Sequence, residues 1–112
     1  MNSGIKIDKY GTKFYYINEV LHREDGPAIE YANGTKKWYI NDNLHREEGP
    51  SIEYVNGDKS WYKNGQRHRD DGPACEYIDG RRYWYLNGRC YGYNNDFTNK
   101  SWKRFVETLV FS

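Results

Sequence analysis

Along most of the chain, apolar and aromatic residues alternate with polar ones in short runs, and each run closes on a pair that contains glycine or asparagine. Ala28-Ile29-Glu30-Tyr31 leads to Asn33-Gly34 and then to Thr35-Lys36-Lys37-Trp38-Tyr39-Ile40. Asn-Gly between runs rich in β-branched and aromatic residues predicts a hairpin, because a type I′ turn needs positive φ at both central positions. Asn56-Gly57 and Asp79-Gly80 repeat the signal. A second turn is expected at Asn64-Gly65 and Asn87-Gly88, with Asn41-Asp42 in the corresponding place. If both turns are two-residue loops, Ile29 faces Trp38 and Trp61 faces His68. Ile29, Tyr31, Trp38 and Ile40 then share one side of the sheet, and Glu30, Lys37 and Tyr39 share the other.

The tail changes period. Trp102, Phe105, Val106, Leu109 and Val110 fall on one helical stripe, which predicts a helix over about 98–110 with Asp96 or Thr98 able to cap its start. The strand pattern before it recurs every 23 residues: Gly11, Gly34, Gly57 and Gly80 keep that spacing, as do Tyr15-Tyr16, Trp38-Tyr39, Trp61-Tyr62 and Trp84-Tyr85. One repeat domain over 1–112 is expected. Residues 1–20 form a degenerate first unit, 21–43, 44–66 and 67–89 three full units, and 90–112 a C-terminal cap that covers the last hydrophobic edge. The expected fold is all-β, an elongated single-layer antiparallel meander of stacked hairpins with a capping α-helix. Its expected core is Ile29, Tyr31, Trp38, Ile52, Tyr54, Trp61, Tyr77, Trp84, Trp102, Phe105 and Leu109.

Composition adds limits. Seventeen Lys and Arg against sixteen Asp and Glu give a net charge of +1, so no whole-molecule field selects nucleic acid or an acidic membrane. With 18% aromatic residues and a mean hydropathy of −1.13, large amphipathic rings must supply most of the buried area. No apolar leader or membrane-length run is found, and a soluble protein of the cytoplasm, bacterial or of an infected host cell, is expected. Cys75 and Cys90 replace apolar residues of the repeat; the expected register puts them two strands apart on opposite sides, as free thiols.

The most conserved-looking stretch within the chain itself is Leu21-His22-Arg23-Glu24-Asp25-Gly26-Pro27-Ala28, which returns at 44–51 and 67–74. Gly-Pro cannot run through a flat sheet, so this stretch reads as the corner of each unit. His22, His45 and His68 suggest a metal set, yet equivalent residues two strands apart lie roughly 9–10 Å from each other, too far to share one ion; neither metal nor cofactor is expected. The acidic pairs read as partners for Arg23, Arg46 and Arg69 or for backbone N–H groups in the bend. Lys and Arg interleaved with Tyr39, Tyr62 and Tyr85 leave single-stranded nucleic acid as a weaker candidate. No nucleophile elbow, P-loop or zincin motif is found, and an enzyme is not expected.

The unit His-Arg-x-Asp-Gly-Pro-Ala-x-x-Tyr-x-Asn-Gly-x-x-x-Trp-Tyr-x-Asn-Gly, matched over residues 10–89, resembles repeats in phage, giant-virus and bacterial proteins and is similar to the MORN repeat. The resemblance implies an elongated hairpin scaffold that binds partner proteins without catalysis. It departs from MORN at the corner, which counts against the lipid binding known for some MORN proteins. A module this small would suit an inhibitor of a host protein, such as an anti-CRISPR or other anti-defence factor. Candidate partner-binding residues are His22, Arg23, Asp25, His45, Arg46, Glu48, His68, Arg69, Asp71, Tyr39, Tyr62 and Tyr85. The alternative is a small-ligand, nucleotide or phosphate-group binder that uses the corner arginines as anion sites. An open first strand and the apolar tail Leu109-Val110-Phe111 leave room for a homodimer.

Overall fold

The computed structural model describes residues 3–110; Met1, Asn2, Ser112 and Phe111 of the apolar tail lie outside the described residues. The strands, in chain order, are β1 Ser3–Ile7, β2 Lys13–Ile17, β3 Val20–Leu21, β4 Ile29–Glu30, β5 Lys36–Lys37, β6 Tyr39–Ile40, β7 Asn43–Leu44, β8 Ile52–Glu53, β9 Lys59–Ser60, β10 Tyr62–Lys63, β11 Gln66–Arg67, β12 Cys75–Glu76, β13 Arg82–Leu86 and β14 Arg89–Tyr93. A 3-10 turn, Asn94–Asp96, leads into helix α1, Asn99–Val110. Ten strands form one sheet in the order β1-β2-β4-β5-β8-β9-β12-β13-β14, with β3 also paired to β2; β6–β7 and β10–β11 are separate hairpins. The fold is all-β, an open antiparallel meander with a helix closing its C-terminal end. It measures 44 × 32 × 19 Å.

The first turn of each unit is one residue longer than its Asn-Gly pair predicts. Tyr31 N donates to Thr35 O and Gly34 N to Tyr31 O, both at 2.9 Å, so Ala32-Asn33-Gly34 is a three-residue loop. Only Gly34 takes a positive φ there, 99°, while Asn33 Oδ1 accepts from Thr35 N at 2.9 Å. This is the type I turn with a glycine bulge, which an Asn-Gly pair serves as well as it serves type I′. The register therefore moves by one: Ile29 opposes Lys37, not Trp38, and every side chain of the returning strand changes side. Ile29 and Tyr31 share their side with Lys37 and Tyr39, whereas Glu30 shares its side with Lys36, Trp38 and Ile40.

That shift creates a row of alternating charge across the sheet. Lys13 opposes Glu30, which opposes Lys36; Lys36 opposes Glu53, which opposes Lys59; Lys59 opposes Glu76, which opposes Arg82. Opposite charges directly across antiparallel strands favour pairing, each by a few tenths of a kcal/mol to about 1 kcal/mol. The second turn has the expected two residues: Tyr62 opposes Arg67, His68 N donates to Trp61 O at 3.1 Å, and Asn64 and Gly65 have φ of 52° and 81°. Between the two turns the strand changes partner at its tryptophan. Trp38 N donates to Ser51 O at 2.8 Å and its O accepts from His45 N at 3.0 Å, so β5 serves the next unit and β6 serves its own hairpin.

A single layer buries little. The buried positions include the small residues that follow each proline, Ala28, Ser51 and Ala74, then Ile29, Ile52 and Cys75 on the other side, and a C-terminal cluster of Trp84, Leu86 and Trp102. Tyr91, Phe97, Phe105 and Val106 pack against that cluster. Tyr31, Trp38, Trp61 and Tyr77 are half-buried. Tyr54 and Leu109, expected in the core, are 41% and 40% exposed: Tyr54 stands on an uncovered side of the layer, and Leu109 lies near the far end of α1, past the cluster. Helix α1 starts on a reciprocal cap, in which Ser101 N donates to Thr98 Oγ1 at 3.1 Å and Thr98 N donates to Ser101 Oγ at 2.9 Å. Among the described residues no helix is long and apolar enough to cross a membrane. Both cysteines are free thiols, Cys75 buried and Cys90 exposed. They lie on one side of the sheet and not on two, because Cys75 opposes Tyr83 and Cys90 opposes Tyr85, and these tyrosines are two residues apart on β13.

At the second turn of the first unit, Glu19 holds a φ of 68° where the third and fourth turns have Gly65 and Gly88 at 81° and 82°. A left-handed conformation costs a residue with a Cβ about 1–2 kcal/mol, partly offset by the greater chain entropy glycine loses on folding. Glu19→Gly is expected to stabilise the protein by about 0.5–1 kcal/mol in urea unfolding with an unchanged m-value.

Candidate functional site

The corners are built around their arginines. The Arg23 guanidinium carbon lies 4.0 Å from the centroid of the Tyr15 ring, Arg46 lies 3.9 Å from Trp38, and Arg69 lies 3.9 Å from Trp61. Each is then tied down by oxygens. Arg23 donates from Nε to Asp25 Oδ1 at 3.0 Å, and from Nη1 to Pro27 O at 3.1 Å and Glu30 Oε1 at 2.8 Å. Arg69 makes the same three bonds to Asp71, Pro73 O and Glu76. Arg46 keeps two of them, to Pro50 O at 3.1 Å and Glu53 Oε2 at 2.7 Å; the longer Glu48 carboxylate takes no hydrogen bond from the described residues.

This arrangement explains the corner glycine. A Cβ on Gly26 or Gly72 would meet the guanidinium carbon of Arg23 or Arg69 at 2.9 or 2.6 Å, so the backbone must stay bare for the cation to keep its place over the ring. The histidines face the second turns. Nδ1 of His22, His45 and His68 accepts from the backbone N of Asn41, Asn64 and Asn87 at 3.0, 3.1 and 3.0 Å. With Nδ1 accepting, Nε2 carries the proton and donates to Glu24, Glu47 and Asp70 at 3.3, 2.6 and 2.6 Å. That bond from His45 holds the Glu47 carboxyl below the usual carboxylate range.

The cations of the corner are thus turned inward and the anions outward. His and Arg side chains at the corners are 11–28% exposed, whereas Glu24, Asp25, Glu47, Asp70 and Asp71 are 66–86% exposed. Successive corners enclose open grooves. One of about 770 Å³ has Trp38 and Ile40 at its base and Glu24, Asp25, Glu47 and Glu48 along its walls. The next, of about 450 Å³, repeats this with Trp61 between Glu47, Glu48, Asp70 and Asp71. Glu48 lines both. Beyond the third corner the series ends, since Gly92 stands 23 residues after Arg69. There Trp84 is covered by Trp102 and Phe97, with ring centroids 5.5 and 5.6 Å away, and Trp102 Nε1 donates to Arg69 O at 2.7 Å.

Of the residues singled out from the sequence, the structure gathers each His, Arg and acidic pair into one corner. By strand alternation, Tyr39, Tyr62 and Tyr85 lie on the side opposite the tryptophans. There Arg67 donates from Nε to the Tyr62 hydroxyl at 3.1 Å and from Nη1 to that of Tyr85 at 3.5 Å. Burial would lower the Arg67 pKa but is outweighed by the nearby Cys75 and Tyr62 groups, which keep it above the ordinary arginine value. Burial pushes the Cys75 thiol up, against the pull of Arg67. Glu30, Glu53 and Glu76 were not expected at the site; their signal was recurrence seven residues after each arginine. Among the described residues no group of three or more His, Cys, Asp or Glu is placed to hold a metal ion. No protein-family model and no curated protein matches the chain.

Gly72→Ala is expected to drive the Arg69 guanidinium off Trp61 and cost about 2 kcal/mol of stability, the scale of a strained and partly unsatisfied charged group. Gly4→Ala, where a Cβ meets nothing within 4 Å, should change stability by less than about 0.5 kcal/mol. Urea unfolding followed by tryptophan fluorescence checks both.

Proposed function

We propose that the protein is a non-catalytic binding module that holds a cationic surface of another protein against the row of corner grooves. The observation that carries this reading is the division of charge at the corners. Each corner arginine and histidine is hydrogen-bonded within the fold, while six carboxylates stand exposed along grooves with aromatic bases. A lysine or arginine entering such a groove meets carboxylates on both walls, a setting that favours cations through Coulomb attraction. The same division weakens the anion-binding alternative. Arg23 and Arg69 each already hold two carboxylates, so a phosphate would have to displace them within a negatively charged surround. The similarity to phage and viral repeats, with the small size of the chain, is in keeping with an inhibitor that occupies the basic surface of a host protein.

The test is affinity capture from host lysate with the wild-type chain beside Glu48→Lys and Glu24→Lys. Binding of the captured protein is expected to weaken about tenfold with each charge reversal and to fall further as salt rises to about 0.5 M. Equal binding by the variants, or a melting temperature raised by inorganic phosphate or nucleotides, would count against the proposal.

A further inference from the structure

We propose that strand β1 pairs antiparallel with β1 of a second copy about a two-fold axis at Ile5, joining two sheets edge to edge. β1 ends the ten-stranded sheet, and the direction of its free backbone groups follows from the neighbouring bonds. Asp8 N donates to Thr12 O at 3.0 Å, whereas Tyr15, opposite Ile5, sends its N to Ala28 O and receives His22 N on its O. Hydrogen-bonded pairs alternate along an antiparallel ladder, so Ser3, Ile5 and Ile7 direct both N–H and C=O away from β2. No strand among the described residues pairs with that edge.

Pairing about Ile5 places Ile5 opposite Ile5, and Ser3 opposite Ile7, so all three residues of each copy find partners in register. Each Lys6 falls opposite Gly4, so the ladder brings no like charges face to face; the Lys6 ammonium lies on the other side, 5.1 Å from the Tyr16 ring centroid. Ile5 and Ile7 are 59% and 63% exposed and would form an apolar row across the junction. Edge strands are commonly blunted by proline, a bulge or cover, and β1 has neither proline nor bulge. The opposite edge does: β14 carries a register shift at Trp84/Tyr85, and Asp96 Oδ2 accepts from Tyr93 N at 2.9 Å.

A two-fold axis normal to the sheet keeps both corner rows on the same side, since Ile5 shares its side with Tyr15 and the Arg23 corner. The second copy's Ile7 would stand beside Ser3 at the rim of a groove of about 720 Å³ lined by Ile5, Tyr15 and Glu24. Six corners on one side would let a dimer bind with avidity; only this consequence rests on the proposed function. The contact is small by the standard of permanent dimers, so the equilibrium is concentration dependent.

Sedimentation velocity of the full chain over a concentration series is the test. The mass is expected to rise from 13.4 kDa towards twice that value. The rise is expected to be lost in Ile5→Lys, which opposes two ammonium groups at the axis, and in Ile5→Pro, which removes an outward N–H that β2 does not use. An unchanged circular dichroism spectrum at the lowest concentration shows that the variants keep the fold. Amide exchange in the wild-type chain gives a reading that needs no variant: Ser3, Ile5 and Ile7 should exchange at least about tenfold more slowly when dimeric. A chain that stays monomeric up to about 1 mM, a dimer that persists in both variants, or outward amides whose exchange is independent of concentration would overturn the proposal.

Discussion

A guanidinium seated over an aromatic ring is the contact on which the architecture depends. A sheet one layer thick has no second layer to cover its large side chains, and Tyr15, Trp38 and Trp61 would otherwise expose one ring face each. The corner arginine supplies the cover. Its charge is neutralised by Glu30, Glu53 or Glu76 from the adjoining strand, its Nη1 satisfies the carbonyl before the small buried residue, and glycine leaves the space it needs. Cation–π contacts are worth about 0.5–2 kcal/mol and charged hydrogen bonds about 1.5–3 kcal/mol, so each corner is a substantial part of the modest stability expected of a domain this size. The C-terminal end shows the same need met differently. With Gly92 in place of an arginine, Trp84 is enclosed by Phe97 and Trp102, and the indole of Trp102 returns a hydrogen bond to the last corner.

Much of this was legible in the chain. The recurrence of glycines and Trp-Tyr pairs gave the hairpins and their order, the Asn-Gly pairs at the second turn gave its register, and the stripe from Trp102 gave the helix, with Thr98 the one of two offered caps, Asp96 or Thr98, that the structure uses. The first turn was misread by one residue because Asn-Gly fits both a two-residue type I′ loop and the end of a three-residue loop, and the local sequence does not separate them. That single residue decides which side each strand residue takes. It moved Trp38 from opposite Ile29 to the side of Glu30 and Lys36, and so hid both the charge ladder and the arginine–glutamate pairs. The corner was legible as a bend, but the role of its arginine as a cover for a ring eight residues earlier was not, since it depends on how the chain returns across the sheet. Tyr54 and Leu109 fit an apolar pattern, yet each lies at or just past the end of its element and is only partly covered.

The division of charge that stabilises the corner also shapes its outer surface. Drawing the arginines and histidines inward leaves Glu24, Asp25, Glu47, Glu48, Asp70 and Asp71 outside at the same spacing as the units, without any change in the near-zero net charge. The binding role proposed for this row needs no catalytic group, and its specificity would lie in matching a row of cations to a fixed pitch. Buried Cys75 belongs to the opposite side, where its raised pKa and lack of access make it a packing residue.

The most direct measurement is a double-mutant cycle between Arg69 and Glu76, using Arg69→Met and Glu76→Gln, in low salt and again near 1 M salt. If the corner arginine is an internal strut, the coupling energy will be about 1.5–3 kcal/mol and will survive high salt. A coupling below about 0.5 kcal/mol, or one that disappears in salt as it does for an exposed ion pair, would show that the guanidinium does not hold the corner to the sheet.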